Sequence, residues 1–250
     1  MRWTKRWAET VTPNSHRFGY ATVVVCGTIA VGLTALGIVW RLEWRFVGAV
    51  MLVGVVQLTA FWWILRDSDR TNGPQPLTAA TVVTLGRAGL LALFAGFVVI
   101  GRPDGPLEWL PALLFVLVGG LDAVDGALAR ARDAVTEFGG RLDTNVDSLA
   151  VLIGAAVAVG YATVPVYYLL VGGARYLFVG GIWWRTRRGR SVSDLPPSRL
   201  RRPIGSLQLV VIALALLPIV DPALSRPVAA AALVALAGSF TRDWLAITDR

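Results

Sequence analysis

The 250-residue sequence has few charged residues, and it contains one histidine and one cysteine. Charged residues make up 16% of the chain, where a globular domain usually has about 25%. Hydrophobic residues make up 55%, and the mean hydropathy is +0.62. This composition excludes a water-soluble domain, a disordered chain and a collagen-like chain. With only Cys26 and His16 available, an intrachain disulfide is excluded and a Cys/His zinc site is not expected.

Long uncharged runs take the place of polar surface. Residues 18–40 and 46–65 contain no charged residue, and each is long enough to cross a hydrocarbon core of about 30 Å. Residues 148–184 are too many for one span, and residues 161–165 offer a place to turn. Further apolar runs cover residues 79–101, 107–121, 204–220 and 227–240. The sequence therefore predicts an all-α integral membrane protein with about eight spans.

The basic residues predict how the chain is oriented. The net charge is +8, which on so apolar a chain favours loops facing anionic lipid over a nucleic-acid surface. If the amino terminus is cytoplasmic, the cytoplasmic segments hold eighteen Lys and Arg and the opposite loops hold four. This asymmetry follows the positive-inside rule. We therefore expect a protein of the cytoplasmic membrane with both termini on the cytoplasmic side.

A polar stretch at residues 66–76 interrupts the apolar runs and suggests how the chain is divided. Residues 1–65 are interpreted as a basic segment followed by a transmembrane helical pair. Residues 66–76 are interpreted as a linker, and residues 77–250 as a six-helix domain.

Acidic residues are concentrated in one segment, since six of the sixteen lie between Asp122 and Asp147. Asp122 and Asp125 are three residues apart, and Asp143 and Asp147 are four apart, so each pair shares a helix face. Oxygen ligands without His or Cys suit Mg²⁺ or Mn²⁺, and four carboxylates can hold two such ions. Two ions about 3.5–4 Å apart can clamp a phosphoryl group during in-line displacement. Arg130 beside them could hold a pyrophosphate oxygen.

The same segment carries a complete motif. It reads Asp122-x2-Asp125-Gly126-x2-Ala129-Arg130-x8-Gly139-x3-Asp143-x3-Asp147. This pattern resembles the signature of the CDP-alcohol phosphotransferases, with each fixed position and its spacing present. The resemblance covers residues from about 77 to the C-terminus and implies a six-helix membrane domain. The first 65 or so residues lie outside it.

The resemblance also implies roles for the motif residues. Asp122, Asp125 and Asp143 would bind the two metal ions, and Asp147 would bind metal and act as the catalytic base. Arg130 would bind the phosphates of the nucleotide. Gly126, Ala129 and Gly139 would leave room for the cytidine nucleotide. The implied substrates are a CDP-linked lipid and a small alcohol, whose hydroxyl attacks the lipid-bearing phosphorus and releases CMP.

Other arginines are candidates for contacts to substrate phosphate. Arg87 follows Thr84 in a weaker echo of the family's first core helix, and a charge within an apolar helix is usually functional. Arg175 lies in another apolar run. The cluster of Arg199, Arg201 and Arg202 favours a phosphorylated polyol as acceptor.

Alternative functions remain open at this point. A phosphotransferase of the same type could move the head group of a soluble CDP-alcohol onto a lipid acceptor. A divalent-cation transporter could use the four aspartates, although transport sites usually form at mid-membrane and these acids lie at a helix mouth. A non-catalytic lipid-binding scaffold is a third alternative. No nucleic-acid partner is expected, and a homodimer is one assembly that the sequence leaves open.

Overall fold

The computed structural model describes residues 14–131, 136–193, 198 and 201–248, and the regular structure in that part of the chain is helical throughout. Short 3-10 helices cover Gly96–Val98, Gly105–Trp109 and Val166–Tyr168. The eight α-helices are α1 (Asn14–Val39), α2 (Trp44–Asn72), α3 (Ala79–Ala95), α4 (Leu110–Ala131), α5 (Glu137–Gly160), α6 (Leu169–Arg187), α7 (Arg201–Leu216) and α8 (Pro222–Thr248). The predicted all-α class is confirmed.

The lengths and hydropathy of these helices confirm a membrane protein. Seven of the helices in the described residues are long and apolar enough to cross a bilayer. The sequence predicted about eight spans, and α7 accounts for the difference. It has 16 residues, and a helix normally needs about 20 apolar residues to span the hydrocarbon core. The predicted turn within residues 148–184 is confirmed, because α5 ends at Gly160 and the next helical turn begins at Val166.

The chain forms two compact units, and the first contains the described residues of Met1–Ile100 together with Leu114–Asp147. In this unit α1 and α2 pack against α3. Gly89 of α3 allows close approach, because a Cβ there would lie 2.6 Å from the Cβ of Thr28 and 3.1 Å from the carbonyl oxygen of Val25. Leu91, Ala92 and Phe94 of α3 are consequently fully buried. The helical pair thus covers α3.

The helix α2 extends further than its hydropathy suggested. It continues to Asn72, through most of the stretch that we interpreted as a linker, and the C-cap residue Gly73 follows it with a φ of 73°. Ser68 is fully buried, and Asp69 accepts two hydrogen bonds from Arg17 of α1. These polar side chains are used in tertiary contacts, which a composition argument does not detect. The division into domains at residues 66–76 stays a prediction.

The second unit contains the described residues of Gly101–Leu113 and Ser148–Arg250. Polar groups are satisfied within its apolar interior. The hydroxyl of Tyr168 donates to Oε1 of Gln208 at 2.8 Å, and the amide of Gln208 donates to the carbonyl oxygen of Ala232 at 2.9 Å. The hydroxyl of Ser225 donates to the carbonyl oxygen of Thr163 at 2.6 Å. These bonds link the helices of the second unit, since a buried polar group is costly when it is unpaired.

Candidate active site

A buried guanidinium lies at the centre of the acidic cluster in the first unit. Arg87 of α3 is 1% exposed. Its Nη1 lies 2.9 Å from Asp122, 2.9 Å from Asp125 and 2.7 Å from Asp143. Its Nη2 lies 2.6 Å from Asp147. All four aspartates singled out in the sequence are therefore gathered around one cation.

The local sequence of α3 explains how Arg87 reaches this position. Thr78 caps the helix, because its hydroxyl accepts a hydrogen bond from the backbone N–H of Thr81 at 3.2 Å. Arg87 follows two turns later. Its Nε donates to the carbonyl oxygen of Val118 in α4 at 3.1 Å, which fixes the guanidinium plane. The guanidinium is thus held through its Nε by the Val118 carbonyl and through its Nη atoms by the aspartates, without a contribution from substrate.

The two aspartates of α4 differ in their surroundings. Asp125 is 4% exposed and accepts hydrogen bonds from the hydroxyl of Thr84 at 3.0 Å and from Arg87 at 2.9 Å. The side chain of Asp122 is 36% exposed. One carboxylate of this pair is therefore anchored inside the protein, and the other is open to a ligand.

The two aspartates of α5 are open in the same way. The side chains of Asp143 and Asp147 are 36% and 40% exposed. They lie four residues apart, so they share a face of α5. Thr136 directly precedes the helix and caps it, because its hydroxyl accepts a hydrogen bond from the backbone N–H of Gly139 at 3.0 Å. A Cβ at Gly139 would lie 2.9 Å from that hydroxyl, so the glycine is needed for this cap.

The cluster fits a hard divalent cation. Asp122, Asp143 and Asp147 each offer a carboxylate oxygen, and these oxygens lie within 4.8 Å of one another. An all-oxygen set of this kind is what Mg²⁺ and Mn²⁺ prefer. When all four carboxyls are ionised, they and one guanidinium leave three negative charges, and partly buried charges of one sign repel strongly. Additional positive charge would stabilise this arrangement.

The predicted nucleotide-binding residues are only partly visible. Gly126 lies in α4, one position after Asp125, and Gly139 lies in the first turn of α5. Ala129 and Arg130 belong to the last turn of α4, but their side chains lie outside the described residues. The roles of these four residues toward a nucleotide stay predictions.

The arginines assigned to substrate phosphate are found in different places. Arg87 is within the aspartate cluster, and its expected phosphate contact stays a prediction. Arg175 is exposed on α6. Arg201 pairs with Asp243 of α8, its Nε lying 2.6 Å from Oδ2. Arg199 and the side chain of Arg202 lie outside the described residues.

Two contributors were not identified from the sequence. Thr84 holds Asp125, a contact that the sequence analysis did not predict although it noted Thr84 in the echo of the family's first core helix, three residues before Arg87. Gln75 lies in the connection before α3, and its Oε1 accepts the backbone N–H of Phe138 at 3.2 Å. No local pattern links Gln75 to α5, because the two are more than sixty residues apart.

The fold and the site together define a class: a helical membrane protein with a carboxylate cluster suited to divalent metal. A family model described as CDP-alcohol phosphatidyltransferase matches residues 77–241, about two thirds of the chain. The protein belongs to this family. Comparisons with curated proteins and with solved structures returned no match.

Family membership establishes the general activity. The protein is a CDP-alcohol phosphotransferase, a membrane-bound transferase of phospholipid biosynthesis whose substrates are a CDP-alcohol and an alcohol acceptor. The family depends in general on divalent metal, which agrees with the donor set at Asp122, Asp143 and Asp147.

Proposed function

We propose that the protein transfers a phosphatidyl or archaetidyl group from a CDP-linked lipid to the hydroxyl of a small alcohol and releases CMP. The observation that carries this proposal is the convergence of four aspartates from α4 and α5 on Arg87. At this cluster, the positive charge of divalent metal could neutralise the negative charge of a diphosphate.

The aspartates have distinct parts in the proposed reaction. Asp122, Asp125, Asp143 and Asp147 would hold two Mg²⁺ or Mn²⁺ ions. These ions supply neutralisation of the diphosphate charge. Asp125 is engaged by Thr84 and Arg87, so it also fixes the position of α4 against α3. Asp147, the more exposed of the two α5 carboxylates, acts as the base.

The chemical step is a substitution at phosphorus. The acceptor oxygen forms a bond to the lipid-bearing phosphorus while its proton moves to a carboxylate oxygen of Asp147. The bond from that phosphorus to the bridging oxygen breaks, and CMP leaves with the electron pair. The protein's contribution is positioning and charge stabilisation, as in other phosphoryl transfers. Arg130 and Gly126, Ala129 and Gly139 are proposed to bind the nucleotide.

The acceptor is proposed to be a phosphorylated polyol. The support is the basic sequence of Arg199, Arg201 and Arg202, together with Arg175. Within the described residues, Arg201 also pairs with Asp243.

The membrane and its sidedness are part of the same proposal. The distribution of Lys and Arg supports a position of the mouth of α4 and α5, and of both termini, on the cytoplasmic side of the cytoplasmic membrane. This orientation needs an even number of crossings, so the 16-residue α7 would cross together with the seven longer helices. CDP-activated substrates would then be reached from the cytoplasm.

The test is CMP release by the purified full-length protein with Mg²⁺ or Mn²⁺ present. CDP-diacylglycerol and its isoprenoid ether counterpart serve as donors, and glycerol phosphate, inositol phosphate, inositol and serine as acceptors. We expect release only with a CDP-linked lipid and a phosphorylated polyol. Release supported only by a non-phosphorylated alcohol would overturn the proposed acceptor. Turnover of a soluble CDP-alcohol with a lipid acceptor would reverse the proposed direction of transfer.

A transport experiment separates the remaining rival. Vesicles containing the protein are loaded with a Mn²⁺-quenched dye, and Mn²⁺ entry is followed without nucleotide. We expect entry at the rate of empty vesicles, because the aspartates are bridged by Arg87. Entry well above that rate would favour a cation transporter.

A further inference from the structure

The first turn of α5 rests on residues that precede the family match. Phe138 is fully buried, and its ring meets that of Phe61 from α2 edge to face, with centroids 5.5 Å apart. The guanidinium of Arg17 from α1 lies over the ring of Phe138, 5.7 Å from its centroid. An aromatic of α5 is thus enclosed by the N-terminal helical pair.

The same turn is capped from outside its own helix. Thr136 accepts the N–H of Gly139, and the side chain of Gln75 accepts the N–H of Phe138. The first N–H groups of a helix have no partner within the helix, so each such cap stabilises its start. One of these two caps comes from the segment that joins α2 to α3.

Polar pairs reinforce the contact along the end of α2. Asn72 donates to Oε2 of Glu137 at 2.7 Å, and Arg141 lies 2.7 Å from Asp67. The N-terminal hairpin is itself held at this end by Arg17 and Asp69, with Nη1 2.9 Å from both carboxylate oxygens. The last turns of α2 therefore touch α5 at two polar points besides Phe138.

These contacts act on the helix that carries half of the aspartate cluster. Phe138 directly precedes Gly139, and Asp143 follows five residues after Phe138. At about 1.5 Å per residue, Asp143 lies about 7.5 Å along the axis from the anchored ring. A rotation or shift of the first turn would displace both α5 carboxylates from those of α4.

We propose that the N-terminal helical pair, with Gln75, positions α5 and thereby sets the affinity of the aspartate site for divalent metal. Phe138 and Gln75 are positioning residues that act through Asp143 and Asp147. This inference rests on the proposed function, because it takes the aspartate cluster to be the metal site.

The experiment measures Mn²⁺ binding to the purified full-length protein without substrate. Free Mn²⁺ is counted by electron paramagnetic resonance, and thermal unfolding is followed in parallel. Residues that orient metal ligands typically change affinity by about 10-fold or more when altered. We expect Phe138→Leu to weaken Mn²⁺ binding by about 10-fold on this basis.

A matched control lies at the other end of the same helical pair. Phe46 is also fully buried, and its ring contacts Trp40 and Phe97 edge to face. Phe46→Leu removes the same atoms from an equally buried aromatic cluster of α2, about 22 Å along that helix from Phe61, which contacts Phe138. We expect it to lower the unfolding temperature as Phe138→Leu does, with Mn²⁺ affinity unchanged.

A second variant changes a residue outside the buried aromatic cluster. Gln75→Ala removes the cap on Phe138 without creating a cavity, and we expect Mn²⁺ binding to weaken by about threefold, less than the roughly 10-fold effect of residues that orient a metal ligand directly. Gln75→Glu keeps an acceptor oxygen for the same N–H and should restore the affinity. If Phe138→Leu does not fold, the Gln75 pair decides the question.

The outcomes separate the two proposals. Wild-type affinity in both Phe138→Leu and Gln75→Ala would overturn the positioning role while leaving the metal site intact. Equal weakening by Phe46→Leu and Phe138→Leu would also overturn it, because the effect would then be general loosening. Absence of Mn²⁺ binding by the wild type would overturn the proposed metal site and the positioning role with it.

Discussion

Arg17 and Arg87 are two buried arginines of the same unit, 2% and 1% exposed. Arg17 binds the carboxylate of Asp69 through one nitrogen, at 2.9 Å from each oxygen. Arg87 lies among four carboxylates, at 2.6–2.9 Å from each. Burial and distance are nearly the same at the two sites, and among the described residues the number of carboxylates in salt-bridge contact differs.

That number separates a structural ion pair from a binding site. Burying a charge is costly unless an opposite charge is held close to it. The contact of Arg17 with Asp69 matches one cation to one anion and ties α1 to α2. When all four carboxyls are ionised, the group around Arg87 has three uncompensated negative charges, and three of its four aspartate side chains are at least 36% exposed. A surplus of this kind, open to solvent, is what a site for divalent cations requires.

The largest expected difference between the Arg87 cluster and the Arg17–Asp69 pair is in their response to metal removal. Metal ions supply several kcal/mol of stabilisation in phosphoryl transfer, so chelation should lower CMP release by about 10³-fold. Added Mg²⁺ or Mn²⁺ should restore it. The same loss and recovery are expected in Asp69→Asn, because the contact with Arg17 takes up no cation. CMP release that persists in chelator would contradict the assignment of the metal site.

Replacing each arginine tests the charge surplus itself. Arg87→Met and Arg17→Met each remove the cation that pairs with a buried carboxylate. Such a loss typically lowers the free energy of unfolding by about 3–5 kcal/mol. Mn²⁺ should recover much of the loss in Arg87→Met, since the metal can take over the positive charge. Arg17→Met should recover little.

Thermal unfolding of both variants, with and without Mn²⁺, measures this difference. Equal recovery in the two proteins would show that Mn²⁺ acts without preference for the aspartate cluster, and the comparison would fail.

Metal binding should stabilise the wild-type protein by a smaller amount. A ligand at 100 times its dissociation constant stabilises the folded state by about 2.7 kcal/mol. We expect Mn²⁺ to raise the unfolding temperature accordingly, and to do so far less in Asp122→Asn/Asp143→Asn. An unchanged response in the double variant would place the bound metal elsewhere.

The smallest effect is expected at a pair that is open to water. The side chains of Asp67 and Arg141 are 54% and 37% exposed, and such pairs contribute about 0.2–1 kcal/mol. Asp67→Asn should therefore lower the free energy of unfolding by less than about 1 kcal/mol. Denaturant unfolding in detergent checks this, and a loss of several kcal/mol would mean that Asp67 is part of a larger network.

The sequence predicted the membrane fold because its signal is local. Uncharged runs mark helices wherever the lipid is the solvent, and the turn at residues 161–165 followed from length alone. The extension of α2 to Asn72 was missed because its polar side chains are paired in space. Asp69 meets Arg17 fifty-two residues earlier, and Asn72 meets Glu137 sixty-five residues later. Neither pairing can be deduced from composition.

The aspartates were equally predictable, because three- and four-residue spacings place side chains on one helix face whatever the fold. The position of Arg87 was not. Its contacts with all four carboxylates depend on how α3, α4 and α5 meet, and a charge in an apolar run only indicates that something must compensate it. The contacts that Thr84 and Gln75 make were missed for the same reason.

The most direct test of the metal-dependent phosphotransferase site is CMP release from a CDP-linked lipid with Mg²⁺, comparing Asp147→Asn with Asp221→Asn. Asp221 is exposed and its Oδ1 accepts the N–H of Ala223 at 2.7 Å at the start of α8, a contact that Asn can keep. We expect Asp221→Asn to retain the wild-type rate. Asp147→Asn should lose about 10²- to 10⁴-fold, as removal of a general base does. Wild-type release by Asp147→Asn would contradict its assignment as the base.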